Sequence, residues 1–69
     1  MKGIQTLIDK ASDDITYIGT AGSGVDTSQK QWTIQKLSYS SGLLTAIQYA
    51  EGTQDAVNEW DERANYDYN

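Results

Sequence analysis

Residues 32–49 read WTIQKLSYSSGLLTAIQY and carry the clearest structural pattern in this 69-residue chain. Apolar or aromatic side chains alternate with polar ones on either side of Ser40-Ser41-Gly42, a run whose residues favour tight turns. Alternation with a period of two is typical of a β-strand that has one covered face. Two such runs joined by a short turn predict a β-hairpin.

The first strand of this hairpin changes its apolar face along its length. Trp32 and Ile34 share one parity of the sequence, whereas Leu37 and Tyr39 share the other. A β-bulge inserts one extra residue into a strand, and a bulge near Gln35-Lys36 would produce this switch.

Leu43, Ile47 and Tyr49 share one face of the return strand, which ends at Ala50-Glu51-Gly52. Because the chain contains no Phe, its Trp and Tyr side chains must supply much of the buried area. The predicted core consists of Trp32, Ile34, Leu37, Tyr39, Leu43, Ile47, Tyr49, Trp60 and Tyr66.

Two further segments have strand character. Residues 15–18 are rich in β-branched and aromatic side chains and end at Gly19, so they predict a short strand, followed by a polar loop over residues 21–29. Residues 64–69 alternate between apolar and polar side chains and predict a closing strand. We therefore expect a mainly β fold, in which about four antiparallel strands form a small sandwich or partial barrel.

The first fourteen residues follow a different pattern. Ile4, Leu7, Ile8 and Ala11 recur at helical spacing and predict a short amphipathic helix. The sequence thus divides into an N-terminal helix or arm, residues 1–14, and a small β domain, residues 15–69. Such a helix either packs on its own domain or docks as an arm on a neighbouring subunit, and we expect Ile4, Leu7 and Ile8 to contact that partner.

Composition excludes several classes of site. The chain has no Cys and no His, which removes disulfides, the usual zinc ligands, Cys nucleophiles and Ser-His-Asp triads. A chain of this length can scarcely build the deep cleft that a pair of catalytic carboxylates requires. We therefore expect no enzyme activity, no catalytic or metal-binding residue and no cofactor.

The charge balance argues against nucleic acid as a partner. Ten acidic residues face five basic ones, giving a net charge of −5, and the basic residues are scattered. Binding to DNA or RNA needs clustered Lys and Arg. Arg63 is expected to pair with the neighbouring Asp61 or Glu62. No apolar run approaches the roughly 20 residues of a membrane span, and no signal-peptide pattern opens the sequence, so we expect a soluble protein made in the cytoplasm.

An ordered set of residues resembles a small β module that is common in structural proteins of tailed bacteriophages. The matching positions are Tyr17-Ile18-Gly19, Ala21, Gly24, Thr27-Ser28, Trp32, Ile34, Lys36-Leu37, Ala50, Gly52, Asn58, Trp60-Asp61, Arg63-Ala64 and Tyr68. The resemblance covers about residues 15–68. The sequence departs from the module at Tyr49, where Trp is usual, at Glu51, where Asp is usual, and at Ala56-Val57, where an aromatic residue and an acid are common.

The resemblance implies a virion-associated β module and implies no activity. Because the chain is short, we expect a head decoration or cement protein that binds the major capsid protein or another virion protein, as a homo-oligomer or a lattice of copies. Its location would then be the virion. Two alternatives stay open, a neck, tail or fibre-attachment component and a small carbohydrate-binding module that uses exposed aromatic side chains. A host-directed inhibitor is permitted by size and acidity, although nothing in the sequence selects it.

Overall fold

The computed structural model describes residues 3–69, which form one open antiparallel sheet of four strands in the order β1-β2-β3-β4. A single 3-10 helix, Trp60–Asn65, follows the strands. The strands are β1 (Ile4–Lys10), β2 (Ile15–Gly22), β3 (Thr33–Ser40) and β4 (Leu43–Tyr49). The mainly β prediction is confirmed. The described residues do not close into a sandwich or barrel, because no second layer of strands is present among them.

The β3–β4 hairpin turns where the sequence predicts. Ser41 and Gly42 both have positive φ angles, 51° and 79°, as a two-residue hairpin turn of the favoured hand requires. Glycine adopts this conformation without steric strain, and Ser41 adopts it because the flanking strands hold it there.

The hairpin bulge lies in β4, so the prediction of a bulge near Gln35-Lys36 was wrong. Strand pairing shifts between Ser38 and Tyr39, which leaves Thr45 as the extra residue of β4. The Thr45 hydroxyl donates a hydrogen bond of 3.1 Å to the Ser38 carbonyl. The change of parity along β3 has a simpler cause, since this strand carries apolar side chains on both of its faces.

The N-terminal helix prediction was also wrong. Ile4–Lys10 forms β1, which pairs with β2 at all seven of its positions, and the exposure of its side chains alternates along the strand. Ile4, Leu7 and Ile8 fit helical spacing, whereas in β1 Leu7 lies on the face opposite Ile4 and Ile8. Pairing with β2, and not the apolar periodicity, makes this segment a strand. The first two residues of the predicted segment 1–14 lie outside the described residues.

Only one face of the sheet is covered. After β4, Glu51 and Gly52 adopt positive φ angles and the chain turns back. Asn58 then pairs with Trp32, and the 3-10 helix and the last residues lie over the sheet. The face beneath this segment is called the packed face, and its buried apolar residues are Tyr17, Ala21, Trp32, Ile34, Ala50 and Trp60.

The predicted core divides between the two faces. Trp32, Ile34 and Trp60 are buried, and Tyr66 is half-buried against them. Leu43 and Ile47 do not belong to the core, since they are 71% and 51% exposed. The remaining predicted core residues, Leu37, Tyr39 and Tyr49, are half-buried and lie on the uncovered face.

The C-terminal residues form a short pairing rather than the predicted closing strand. Tyr68 makes one isolated bridge with Ala50, and Tyr49 and Asn69 exchange hydrogen bonds of 3.1 and 3.2 Å. Residues 64–65 belong instead to the 3-10 helix. The tail therefore lies along the end of β4 and covers part of that edge.

Candidate docking face

The packed face is closed by two buried tryptophans. The rings of Trp32 and Trp60 lie 5.9 Å apart between centroids, and the Trp32 indole nitrogen donates a hydrogen bond of 2.9 Å to the Asp26 carbonyl. Trp32 is fully buried and Trp60 is 6% exposed. Neither ring can stack on a sugar, because both are occupied by packing.

Arg63 links the C-terminal segment, which covers the packed face, to β1 at the edge of the sheet. Its Nε donates a 2.9 Å hydrogen bond to Asp9 of β1, and its Nη1 donates one of 3.1 Å to the Trp60 carbonyl. The guanidinium carbon lies 4.5 Å from the Trp60 ring centroid, within the range of a cation–π contact. The predicted pairing with Asp61 or Glu62 is absent among the described residues, whose one ion pair joins Arg63 to Asp9.

Tyr68 has a structural environment rather than a catalytic one. Its hydroxyl donates a hydrogen bond to the Arg63 carbonyl, and its ring packs 5.7 Å from that of Tyr17. Burial raises the pKa of the Tyr68 hydroxyl above its ordinary value, with smaller contributions from Tyr17 and Tyr66. The hydroxyl therefore stays protonated and serves as a hydrogen-bond donor.

The acidic residues on the covered side make no metal site in the described part of the chain, where no group of three or more potential ligands comes together. Glu51, Glu59 and Glu62 line a shallow hollow of about 410 Å³ together with Lys30 and Tyr66. Tyr66 accepts a 2.8 Å hydrogen bond from the Glu59 backbone, which fixes one wall. The arrangement is that of a solvated acidic rim.

The opposite face of the sheet, which we call the bare face, has no cover among residues 3–69. Strand pairing aligns Ile8 with Ile18 and Leu37 with Ile47 on this face. Its apolar and aromatic side chains are Ile4, Ile8, Ile18, Leu37, Tyr39, Leu44, Ile47 and Tyr49. Four of the six large apolar residues that the structure leaves exposed belong to it, namely Ile4, Ile8, Leu44 and Ile47.

The bare face is also almost free of charge. Its one charged side chain among the described residues is that of Lys10, at the end of β1. The ten acids lie elsewhere: Asp9 on the packed face, and the others in turns, loops and the C-terminal segment. A chain of net charge −5 therefore presents a face on which Lys10 is the one charged side chain among the described residues. Apolar side chains lie there among Thr and Gln, an arrangement that suits docking.

A second hollow, of about 370 Å³, lies where the bare face meets the β1–β2 and β3–β4 turns. Lys10, Asp13, Thr16, Tyr39 and Gly42 line it. It combines one aromatic ring with a cation, a carboxylate and a hydroxyl, which are groups that can bind a small polar ligand.

The three residues predicted to contact a partner lie on different faces of the sheet. Ile4 and Ile8 lie on the bare face and are 76% and 69% exposed. Leu7 points to the other side and packs against the core. Sequence reasoning missed the contribution of Ile18 and Leu44 to this surface, although the alternation along each strand contains that information once both faces of the sheet are considered.

Comparison of the chain with protein families, curated proteins and solved structures finds no match. Among the described residues, no helix has both the length and the apolar character needed to cross a membrane.

Proposed function

We propose that this chain is a non-catalytic assembly subunit of a bacteriophage virion, in which the bare face docks on another virion protein. The observation that carries this proposal is the bare face itself, a sheet surface with one charged side chain, Lys10, among the described residues and four exposed large apolar side chains. Antiparallel sheets that expose one face to water normally place polar side chains there. On an acidic chain, a face with one charge and several exposed large apolar side chains supports the proposal of a partner that covers it.

The dimensions of the bare face suggest how strong one contact would be. Four strands of seven or eight residues make a surface of about 25 by 19 Å, or roughly 450 Å², from the usual rise and spacing of strands. A standard stable interface buries about 800 Å² on each partner. One copy therefore binds weakly, and a lattice of copies on a symmetric shell supplies the missing strength through avidity.

The partner that we propose is the assembled major capsid protein, which makes this chain a head decoration or cement protein. The bacteriophage context rests on the sequence resemblance alone. Docking would place a second layer of protein on the sheet. The acidic residues would then face outward, where they would limit non-specific binding to DNA.

The residues of the resemblance have a structural role that fits this proposal. Tyr17 and Gly19 of β2 lie beneath Tyr68 and Trp60 of the C-terminal segment, so the two ends of the pattern contact each other. The residues of the pattern thus form the contacts between the sheet and the C-terminal segment that covers one of its faces. Because this packing leaves the bare face uncovered among the described residues, it suits a protein that binds another virion protein.

Carbohydrate binding is a second candidate, because Tyr39 lies half-buried beside polar groups in the hollow that Lys10 and Asp13 line. A neck, tail or fibre-attachment component would use the bare face in the same manner as a decoration protein. Binding to a glycan array that Tyr39→Ala abolishes would favour the carbohydrate candidate over assembly.

The experiment that tests the proposed function is cosedimentation of the purified protein with empty capsids of its own phage. Saturable binding at a stoichiometry that matches the capsid lattice is the expected result. A protein that stays in the supernatant at all concentrations would mean that the capsid is not its partner. Cosedimentation with isolated tails would then indicate the neck or tail alternative.

A further inference from the structure

The two outer edges of the sheet differ in a way that bears on self-association. Along β4, Thr45 introduces a bulge and Asn69 pairs with Tyr49, so this edge is irregular and partly covered. β1 pairs with β2 in an unbroken register over seven residues and contains no Pro. Proteins usually protect free edges with bulges, short strands, Pro or charge, and β1 has little of this protection.

The backbone groups on the outer edge of β1 can be assigned from the ladder. Ser23 donates a 3.0 Å hydrogen bond to the Gly3 carbonyl, so Gly3 and every second residue after it direct their backbone groups toward β2. The backbone groups that point away from the sheet therefore belong to Ile4, Thr6, Ile8 and Lys10. Within residues 3–69, no other segment pairs with this edge.

Side-chain charge does not block this edge. Asp9 is held by Arg63 on the packed face, and Lys10 lies at the last position of the strand. The other residues of β1, Ile4 to Ile8, all have uncharged side chains. This stretch is therefore open to pairing with another strand.

We propose that a second copy of the chain pairs with this edge, β1 against β1 in antiparallel orientation about a two-fold axis at Leu7. This register pairs Thr6 with Ile8 of the other copy and Ile4 with Lys10. All seven residues of β1 are used, and Asp9 meets the uncharged Gln5, so no like charges lie opposite each other. The product is a continuous eight-stranded sheet.

A second copy fits this edge better than an unrelated strand because β1 is complementary to itself. A two-fold interface requires each residue to meet its symmetry partner, and the charged end of β1 meets the uncharged end of the other copy. The pairing also joins two bare faces into one surface of roughly 900 Å², which reaches the standard interface size per partner. Pairing through β1 does not depend on the proposed docking role.

The first test is sedimentation velocity of the free protein, comparing Thr6→Pro with Thr6→Ala. Proline at residue 6 removes an outward N–H group and leaves the β1–β2 hydrogen bonds in place, whereas alanine keeps that N–H group. Dimers are expected for the wild type and for Thr6→Ala, with at least tenfold weaker dimerisation for Thr6→Pro. Unchanged fluorescence of the two buried Trp residues would show that Thr6→Pro still folds. A wild-type protein that stays monomeric up to millimolar concentration would overturn the proposal.

The second test does not depend on the proline variant. Because the chain has no Cys, single spin labels can be placed through Thr6→Cys and Thr45→Cys. Pairing through β1 predicts less than about 15 Å between the labels at residue 6. It predicts about 43 Å between those at residue 45, which lie seven strand spacings apart across the sheet and about eight residues apart along the strands. A dimer formed face to face would place both pairs of labels at short distance, and that result would overturn pairing through β1 without touching the capsid-docking proposal.

Discussion

The indole ring of Trp60 lies directly on the backbone of Gly19, so closely that a Cβ atom at residue 19 would come within 2.3 Å of Trp60 Cε3. The same atom would lie 3.1 Å from Trp32 Cε3. The backbone of Gly19 is thus the surface against which the C-terminal segment packs. The absence of a side chain there permits the C-terminal segment to contact the sheet.

Gly19→Ala should be among the most damaging small substitutions in the chain. The methyl group has no room beneath the Trp60 ring, so the cover must shift, at a cost of about 3 kcal/mol or more in the free energy of unfolding. Urea unfolding followed by Trp fluorescence measures this loss. Gly22→Ala is the matched control in the same strand, because its Cβ atom would meet only Val25, at 3.9 Å. Equal stability of the two variants would mean that Trp60 does not rest on Gly19.

Trp60→Ala should lower the free energy of unfolding by about 3 to 5 kcal/mol, because it removes a side chain that is 6% exposed and leaves a cavity over the sheet. That loss is a large part of the stability of a small domain. Thermal unfolding by circular dichroism checks it. Val57→Ala, at a residue that is 52% exposed, should change the melting temperature little. A melting temperature that Trp60→Ala leaves unchanged would place this ring in solvent.

Arg63→Lys should destabilise the fold by about 1 kcal/mol, although it keeps the positive charge. Lysine cannot reproduce the planar group that bonds both Asp9 and the Trp60 carbonyl while covering the Trp60 ring. A double-mutant cycle of Arg63→Lys with Asp9→Asn measures the coupling between the two side chains. Asp13→Asn, at an exposed turn residue, is the control for loss of one acid. Additive effects of Arg63→Lys and Asp9→Asn would mean that arginine binds Asp9 no more strongly than lysine does.

Stability should fall in alkaline solution, partly through Tyr68. Its pKa in the folded state is raised above the unfolded value, so its contribution is fully present below about pH 10. Above that pH the unfolded state releases the proton more readily, and stability declines as pH rises toward the folded pKa. Urea unfolding between pH 8 and pH 11 should therefore show a smaller decline for Tyr68→Phe than for the wild type. Identical declines would contradict the burial of this hydroxyl.

The sequence predicts those parts of the fold in which local pattern and turn chemistry agree. The β3–β4 hairpin is of this kind, because Ser41 and Gly42 supply the turn while alternation supplies the strands. β1 could not be identified from its own residues. Ile4, Leu7 and Ile8 follow helical spacing, and only pairing with β2 makes this segment a strand, with Leu7 on one face and Ile4 and Ile8 on the other.

The bare face was the least predictable feature. Leu37, Tyr39 and Ile47 read as core residues because apolar side chains on a strand usually are, and nothing local shows that the sheet has a single layer. The Arg63–Asp9 pair spans 54 residues and has no local signal either. Both features depend on how the C-terminal segment folds back over one face only.

The most direct test of the docking face compares two lysine substitutions in the capsid cosedimentation experiment. Ile47 and Val57 are 51% and 52% exposed, but Ile47 lies on the bare face and Val57 lies beside the acidic hollow. Ile47→Lys should abolish binding to capsids, because it places a charge in an apolar interface, and Val57→Lys should bind as the wild type does. Capsid binding by Ile47→Lys at wild-type strength would contradict docking through the bare face.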